Sequence, residues 1–245
     1  MSNRYRTSFL KTGIALVAVV MMFCDYSCRQ DDTADTDIGR GYFPVQIGHW
    51  VVYEVDSTVY DDFEGDTDVY RYQVKELWES EFIDNQGRPT VRIERYKRWY
   101  NPNVVYDSIP WYLSRVWAFT ITNGGGEKLE ENVRFLRVAF PVNEGKTWDG
   151  NAYNTMGEWT YKYREADRPF SIGAFAFDST CLIEQKSEIN LINHRTYKER
   201  YAKNIGMIQK NVIDVHDTAF GSLPVINRIH DGVIYNITLV DYGPR

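Results

Sequence analysis

Val69-Tyr70-Arg71-Tyr72-Gln73-Val74-Lys75-Glu76-Leu77 decides the architecture. Tyr70, Tyr72 and Val74 fall on one face of an extended chain and Arg71, Gln73 and Lys75 on the other, because successive strand side chains point to opposite sides. The same period of two recurs along the chain. Val91 and Ile93 alternate with Arg92 and Glu94, and Trp159, Tyr161 and Tyr163 with Thr160, Lys162 and Arg164. Tyr197, Glu199 and Tyr201 alternate with Lys198 and Arg200, and Val233, Tyr235, Ile237 and Leu239 share a face. Helical periodicity is nearly absent. Trp50 to Val55 and Phe175 to Ile183 are evenly apolar, which predicts strands covered on both sides. Asp84-Asn85-Gln86-Gly87-Arg88-Pro89 reads as a turn, and Gly124-Gly125-Gly126 as a flexible loop with no phosphate-binding GxxxxGK[ST] pattern. About eight to eleven strands are expected, and a sheet that wide curls or closes as its twist accumulates. The expectation is an all-β fold, a single strongly curved antiparallel sheet or open barrel with few or no helices around an aromatic core. A two-sheet β-sandwich is the alternative.

The first residues carry an address. Arg4, Arg6 and Lys11 precede one apolar run from Gly13 to Phe23. That run is too short for a spanning helix, which needs about 20 residues, and fits a secretory leader. Asp25-Tyr26-Ser27-Cys28 resembles the lipobox of bacterial lipoproteins, with small Ser27 before the cysteine and Asp25 departing from the usual apolar residue. Cys28 is thus the expected site of a diacylglyceryl anchor with palmitate-type chains. Cleavage near Ser27 without acylation is the competing reading. The polar, acidic stretch from Arg29 to Asp37 cannot bury enough surface to fold. The expected organisation is a lipoprotein signal peptide at 1–27, a flexible acidic tether at 28–40 and a single β-rich domain at 41–245. It implies a membrane anchor in the cell envelope, at the outer membrane and on either its surface or its periplasmic face.

Cleavage leaves 218 residues, 25 basic and 33 acidic, so the net charge moves from −6 to −8. So acidic a chain is repelled by nucleic acid, whose binding rests on phosphate neutralisation. Aromatic residues make up 15% of the chain, led by 18 tyrosines, a bias that suits pleated sheets. Cys181 is the last cysteine left after Cys24 and Cys28. It has no disulfide partner, and its strand-like neighbours predict a buried, inert thiol.

Phe43-Pro44-Val45-Gln46-Ile47-Gly48-His49-Trp50 is echoed by Phe140-Pro141-Val142-Asn143-Glu144-Gly145-Lys146-Thr147-Trp148. Proline ends a strand, glycine permits a tight turn and tryptophan starts the next strand with a large apolar contact. An old duplication and two independent uses of one device both explain the echo. With Arg92-Ile93-Glu94-Arg95-Tyr96 and Tyr201-Ala202-Lys203-Asn204-Ile205-Gly206-Met207-Ile208, these segments resemble an uncharacterised exported lipoprotein family of Bacteroidota. The resemblance spans most of residues 42–242. It implies an envelope lipoprotein and supplies no activity, ligand or catalytic residue.

No catalytic residue stands out. His49, His194, His216 and His230 lack HExxH or other metal spacing, and no G-x-S-x-G elbow occurs. His216-Asp217 and His230-Asp231 set carboxylates beside imidazoles in sequence, yet adjacent strand residues face opposite ways, so these read as exposed loop histidines. Asp61-Asp62-Phe63-Glu64-Gly65-Asp66-Thr67-Asp68 offers hard oxygens but lacks EF-hand spacing, and reads as a solvated hairpin tip. No metal or cofactor is indicated. The binding candidates are Trp99, Tyr100, Trp111 and Tyr112, which bracket a loop rich in Pro and Asn. Their rings could stack on sugars if exposed, or serve as core of two strands. The sequence favours a binding module for a glycan, peptide or apolar ligand, the last held as lipocalin-like barrels hold theirs. A hydrolase acting on an envelope polymer is the alternative.

Overall fold

Alternation of apolar and polar residues becomes twelve antiparallel strands: β1 (Trp50–Asp61), β2 (Asp66–Ile83), β3 (Pro89–Trp99), β4 (Tyr112–Ile121), β5 (Gly125–Glu130), β6 (Val133–Ala139), β7 (Thr147–Asp149), β8 (Thr160–Ile172), β9 (Phe175–Ile189), β10 (Asn193–Ala202), β11 (Gly206–His216) and β12 (Asp231–Gly243). The computed structural model describes residues 37–244 except 64, 219, 220 and 222. The leader at 1–27, Cys28 and the tether as far as residue 36 lie outside the described residues. Three short 3-10 turns, Arg40–Tyr42, Tyr106–Ser108 and Val225–Asn227, accompany the strands. The count exceeds the eight to eleven expected, because β7 has only three residues and shows no alternation.

One sheet holds all twelve, in the order β6-β5-β4-β3-β2-β1-β12-β11-β10-β9-β8-β7. It curls into a barrel that is nearly closed, not a two-sheet sandwich. Each half of the chain is a six-strand meander, β1–β6 and β7–β12. The Phe-Pro-Val segments open the two halves and make matching bonds. Gly48 N–H donates to Trp78 O at 2.8 Å and Trp78 N–H to His49 O at 2.9 Å. Gly145 N–H donates to Tyr163 O at 2.9 Å and Tyr163 N–H to Lys146 O at 3.0 Å. Both glycines have φ +85°, a left-handed conformation that costs a Cβ-bearing residue dearly.

The seam between β6 and β7 shows what the short β7 omits. Where β1 pairs with β12 over eleven registered residues, the other junction is stitched mainly by side chains. Leu136 N–H donates to Gly150 O at 2.9 Å, and the Trp148 indole donates to Leu136 O at 2.9 Å. Arg137 donates to the Tyr161 hydroxyl at 3.0 Å. The Tyr163 hydroxyl accepts from Ala139 N and donates to Ala139 O, each at 3.1 Å. These bonds blunt two exposed edges that could pair with other chains. Tyr163→Phe leaves both buried Ala139 groups unpaired, and is expected to cost about 1–3 kcal/mol. Native-state hydrogen exchange at Ala139 should quicken with it; unchanged exchange would contradict this account of the seam.

Antiparallel order sends successive connections to alternate ends. The described residues of the β1–β2, β3–β4, β5–β6, β7–β8, β9–β10 and β11–β12 connections lie at one end, and the opposite end is closed by residues 38–48. Tyr42 and Phe43 are buried there. Phe43 packs on Phe119 with ring centroids 4.9 Å apart, and over Gly126, where a Cβ would sit 2.4 Å from its ring. Gly125 and Gly126 are accordingly the buried start of β5, not a flexible loop. The turn expected at residues 84–89 joins β2 to β3. Val51, Val52, Tyr53 and Val55 are buried on both faces of β1 as expected, whereas β9 alternates, with Phe177, Cys181 and Ile183 buried and Ala176 and Asp178 exposed.

Candidate functional site

Strand register sorts the four aromatic candidates onto two faces. Trp99 stands opposite Tyr72, and Lys97 lies between Val74 and Tyr112. These share the parity of Ile93, Val74 and Arg95, whose side chains fill the barrel, so Trp99 and Tyr112 belong to the inner face at the loop-bearing end. Arg98 and Tyr100 have the opposite parity. Trp111 joins them outside, with the Arg98 guanidinium 4.4 Å above its ring and a shallow hollow shared with Trp50 and Lys75. Tyr100 packs on Tyr106 at 5.5 Å under Arg71 at 5.0 Å. Arg98 holds the loop in place through Tyr106 O at 2.7 Å and Asp107 at 3.2 Å. The structure therefore brings together Trp99 with Tyr112, and Tyr100 near Trp111, but not all four.

Neither reading of these rings as core holds throughout. Trp99, Tyr100 and Tyr112 are 44%, 44% and 46% exposed, while Trp111 is half-buried. Lys97 lies between the rings of Tyr72 and Trp99, 3.6 and 3.5 Å from their centroids. Burial pushes its pKa down, and Arg115 and Arg95 push it down further. Arg95 is matched by Glu76 at 2.8 Å and Arg115 by Glu131 at 2.8 Å; Lys97 has no carboxylate partner among the described residues. Tyr72 reads in the sequence only as a strand residue and Lys97 is not singled out there, although alternation from Trp99 already put Lys97 on its face.

Below this rim the barrel is filled rather than hollow. Lys128 contacts Glu130 at 3.0 Å and Glu76 at 3.9 Å, and Arg137 pairs with Glu130 at 2.9 Å. Lys210 pairs with Glu199 at 2.8 Å, and the Tyr201 hydroxyl donates to Glu199 at 2.7 Å. Burial would raise the Glu199 pKa, but Lys210 and Arg137 overcome it and hold the carboxyl at about 2. Between this layer and the plug, Tyr53, Trp78, Phe119 and Tyr201 enclose a void of about 20 Å³, room for a single water. The described residues, packed in this way, leave no lipocalin-like cavity for an apolar guest in the interior.

The remaining candidates fall into place. Cys181 is fully buried, and burial raises its pKa far above the ordinary thiol value, so it is inert as expected. His216 faces Asp231 across β11 and β12, and His230 meets Asp62 at 2.9 Å. These histidines are paired with carboxylates other than their sequence neighbours, rather than loose in loops. Asp61, Asp62, Asp66 and Asp68 are exposed around the β1–β2 turn. Among the described residues no three His, Cys, Asp or Glu groups could hold a metal ion, and no helix is long and apolar enough to cross a membrane.

No protein-family model matches the chain, and no curated protein matches it. Two solved structures are similar. One, from Bacteroides fragilis, is described as an exported protein with a YmcC-like fold; it is 12% identical, covers 82% of this chain and 98% of its own, and gives a TM-score of 0.45. The other, from Parabacteroides distasonis, is described as a lipoprotein and is also 12% identical, with the same coverage and a TM-score of 0.32.

Proposed function

We propose that this is a lipid-anchored envelope protein, held at the outer membrane through Cys28, that captures a glycan at the loop-bearing end of its barrel. The single observation that carries the binding role is exposure. Trp99 and Tyr112 stand 44% and 46% exposed on one face, beside Lys97, which has no carboxylate partner among the described residues. Flat rings suit the apolar C–H faces of sugars, and Lys97 supplies a donor for hydroxyl or carboxylate oxygens. Export is supported by the leader and lipobox, and by the descriptions of the two similar structures.

The test is retention of the purified mature protein on a glycan array, followed by titration of the best hit. Trp99→Ala and Tyr112→Ala should each weaken binding by about 2 kcal/mol, roughly 30-fold, as for a buried anchor of an interface. Trp111→Ala, on the other face, should change it less than threefold. Equal loss from all three, or no retained glycan, would dismiss the platform. Cys28→Ser should release the protein from the membrane fraction, and intact mass of the wild type should carry the acyl chains.

A further inference from the structure

The wall of the mouth formed by β8–β11 carries a hollow of about 330 Å³ that the aromatic loop does not reach. Lys186, Tyr197, Arg195 and Asp214 are aligned there by register. They share the parity of Glu199 within β10 and of Lys210 within β11, so they lie on the inner face toward the loop-bearing end. The β7–β8 connection closes the hollow with Asn151, Glu158 and Trp159. Trp159 and Tyr197 set their rings 5.6 Å apart and 59° to each other, making an apolar corner.

Polar groups meet that corner in a particular order. Asp214 accepts from Arg195 Nε at 3.0 Å and from the Tyr197 hydroxyl. The two terminal nitrogens of Arg195 make no hydrogen bond among the described residues, and each oxygen of Asp214 keeps a lone pair. The pair thus presents donors and an acceptor side by side, the pattern that two vicinal hydroxyls complement. The Trp159 indole N–H is buried without a partner, a group whose desolvation typically costs about 1–3 kcal/mol. Arg195 faces Asp214 and, at 3.8 Å, Glu188, which also holds Lys186 at 2.9 Å, and Glu158 in the lining leaves the set one negative charge in excess. A surplus carboxylate repels an anion, and the cationic Arg195 and Lys186 oppose a cation, whereas a neutral polyol with one apolar face gains from both its faces.

We propose that this hollow is a saccharide subsite for one neutral pyranose ring, stacked in the Trp159–Tyr197 corner with vicinal hydroxyls on Asp214 and Arg195. It uses none of the residues of the Trp99–Tyr112 platform. The experiment is ligand-observed saturation-transfer NMR on the mature protein with the methyl glycosides of glucose, galactose, mannose and N-acetylglucosamine. At least one should receive saturation from the wild type and from Trp99→Ala. In the Trp99→Ala background, where the platform no longer contributes, that transfer should fall at least fivefold on adding Asp214→Asn, which keeps the volume and removes the carboxylate, or Trp159→Ala. No transfer from any of the four, or transfer that survives Asp214→Asn in the Trp99→Ala background, overturns the subsite. So does transfer abolished by Trp99→Ala, because the signal then belongs to the platform. Transfer that needs Asp214 alongside an empty glycan array would keep the subsite and dismiss the platform.

Discussion

Lys210→Met is expected to destabilise the barrel by about 3–5 kcal/mol at pH 7, the usual penalty for leaving one member of a buried ion pair alone. Glu199 is 3% exposed and relies on the ammonium 2.8 Å away. In the wild type its folded pKa of about 2 lies below the ordinary carboxyl value near 4.3. Its contribution is therefore fully present above about pH 4.3 and lost as pH falls through about 2. Without Lys210, burial acts with less opposition and the folded pKa moves up. Urea denaturation should then show wild-type stability falling between pH 5 and pH 3 by more than the variant's does. A loss below 1 kcal/mol at pH 7, or parallel pH profiles, would mean that Arg137 and the Tyr201 hydroxyl suffice to hold this carboxylate.

That charge layer also marks where the sequence stops being legible. Alternation places Tyr197, Glu199 and Tyr201 on one face, and in most antiparallel sheets a face carrying a glutamate is the wet one. Here it is the barrel interior, because Lys210 from β11 and Arg137 from across the seam arrive to neutralise it. Partners so distant in the chain leave no local spacing to detect. Class, curvature and the turn at residues 84–89 were legible for the opposite reason: they follow from period-two patterning and from Gly and Pro chemistry, which are local. Gly126 instead serves the close approach of Phe43, a distant contact, and with Gly125 reads wrongly as a loop. The aromatic loop was half-legible. Its composition announced it, but the two sides of a strand separate Trp99 from Tyr100, and only register assigns Tyr112 to Lys97. The Trp159–Tyr197 corner was hidden altogether, since β8 and β10 meet through β9.

Legible composition and hidden contact combine at Trp78, whose removal should be among the most damaging changes in the barrel. It is 2% exposed, and its indole donates to Pro44 O at 2.8 Å. Its ring meets Phe119 edge-on at 5.4 Å and His49 at 4.6 Å. Its backbone holds the Gly48 turn on both sides, through its own N–H and C=O. Trp78→Ala is expected to cost about 3–5 kcal/mol from lost burial and the cavity left behind. Trp78→Phe keeps most of the apolar contact but leaves Pro44 O without its donor, which should cost about 1–3 kcal/mol. Because Pro44 belongs to the plug, both changes should loosen residues 38–48 before the sheet itself. Hydrogen exchange at the amides of Tyr42 and Phe43, which close the 3-10 turn through Gly39 O and Arg40 O, should quicken ahead of that at Val51 or Val55. Simultaneous exchange of plug and β1 would instead make the closed end and the barrel one cooperative unit, and Trp78 no more than another core residue.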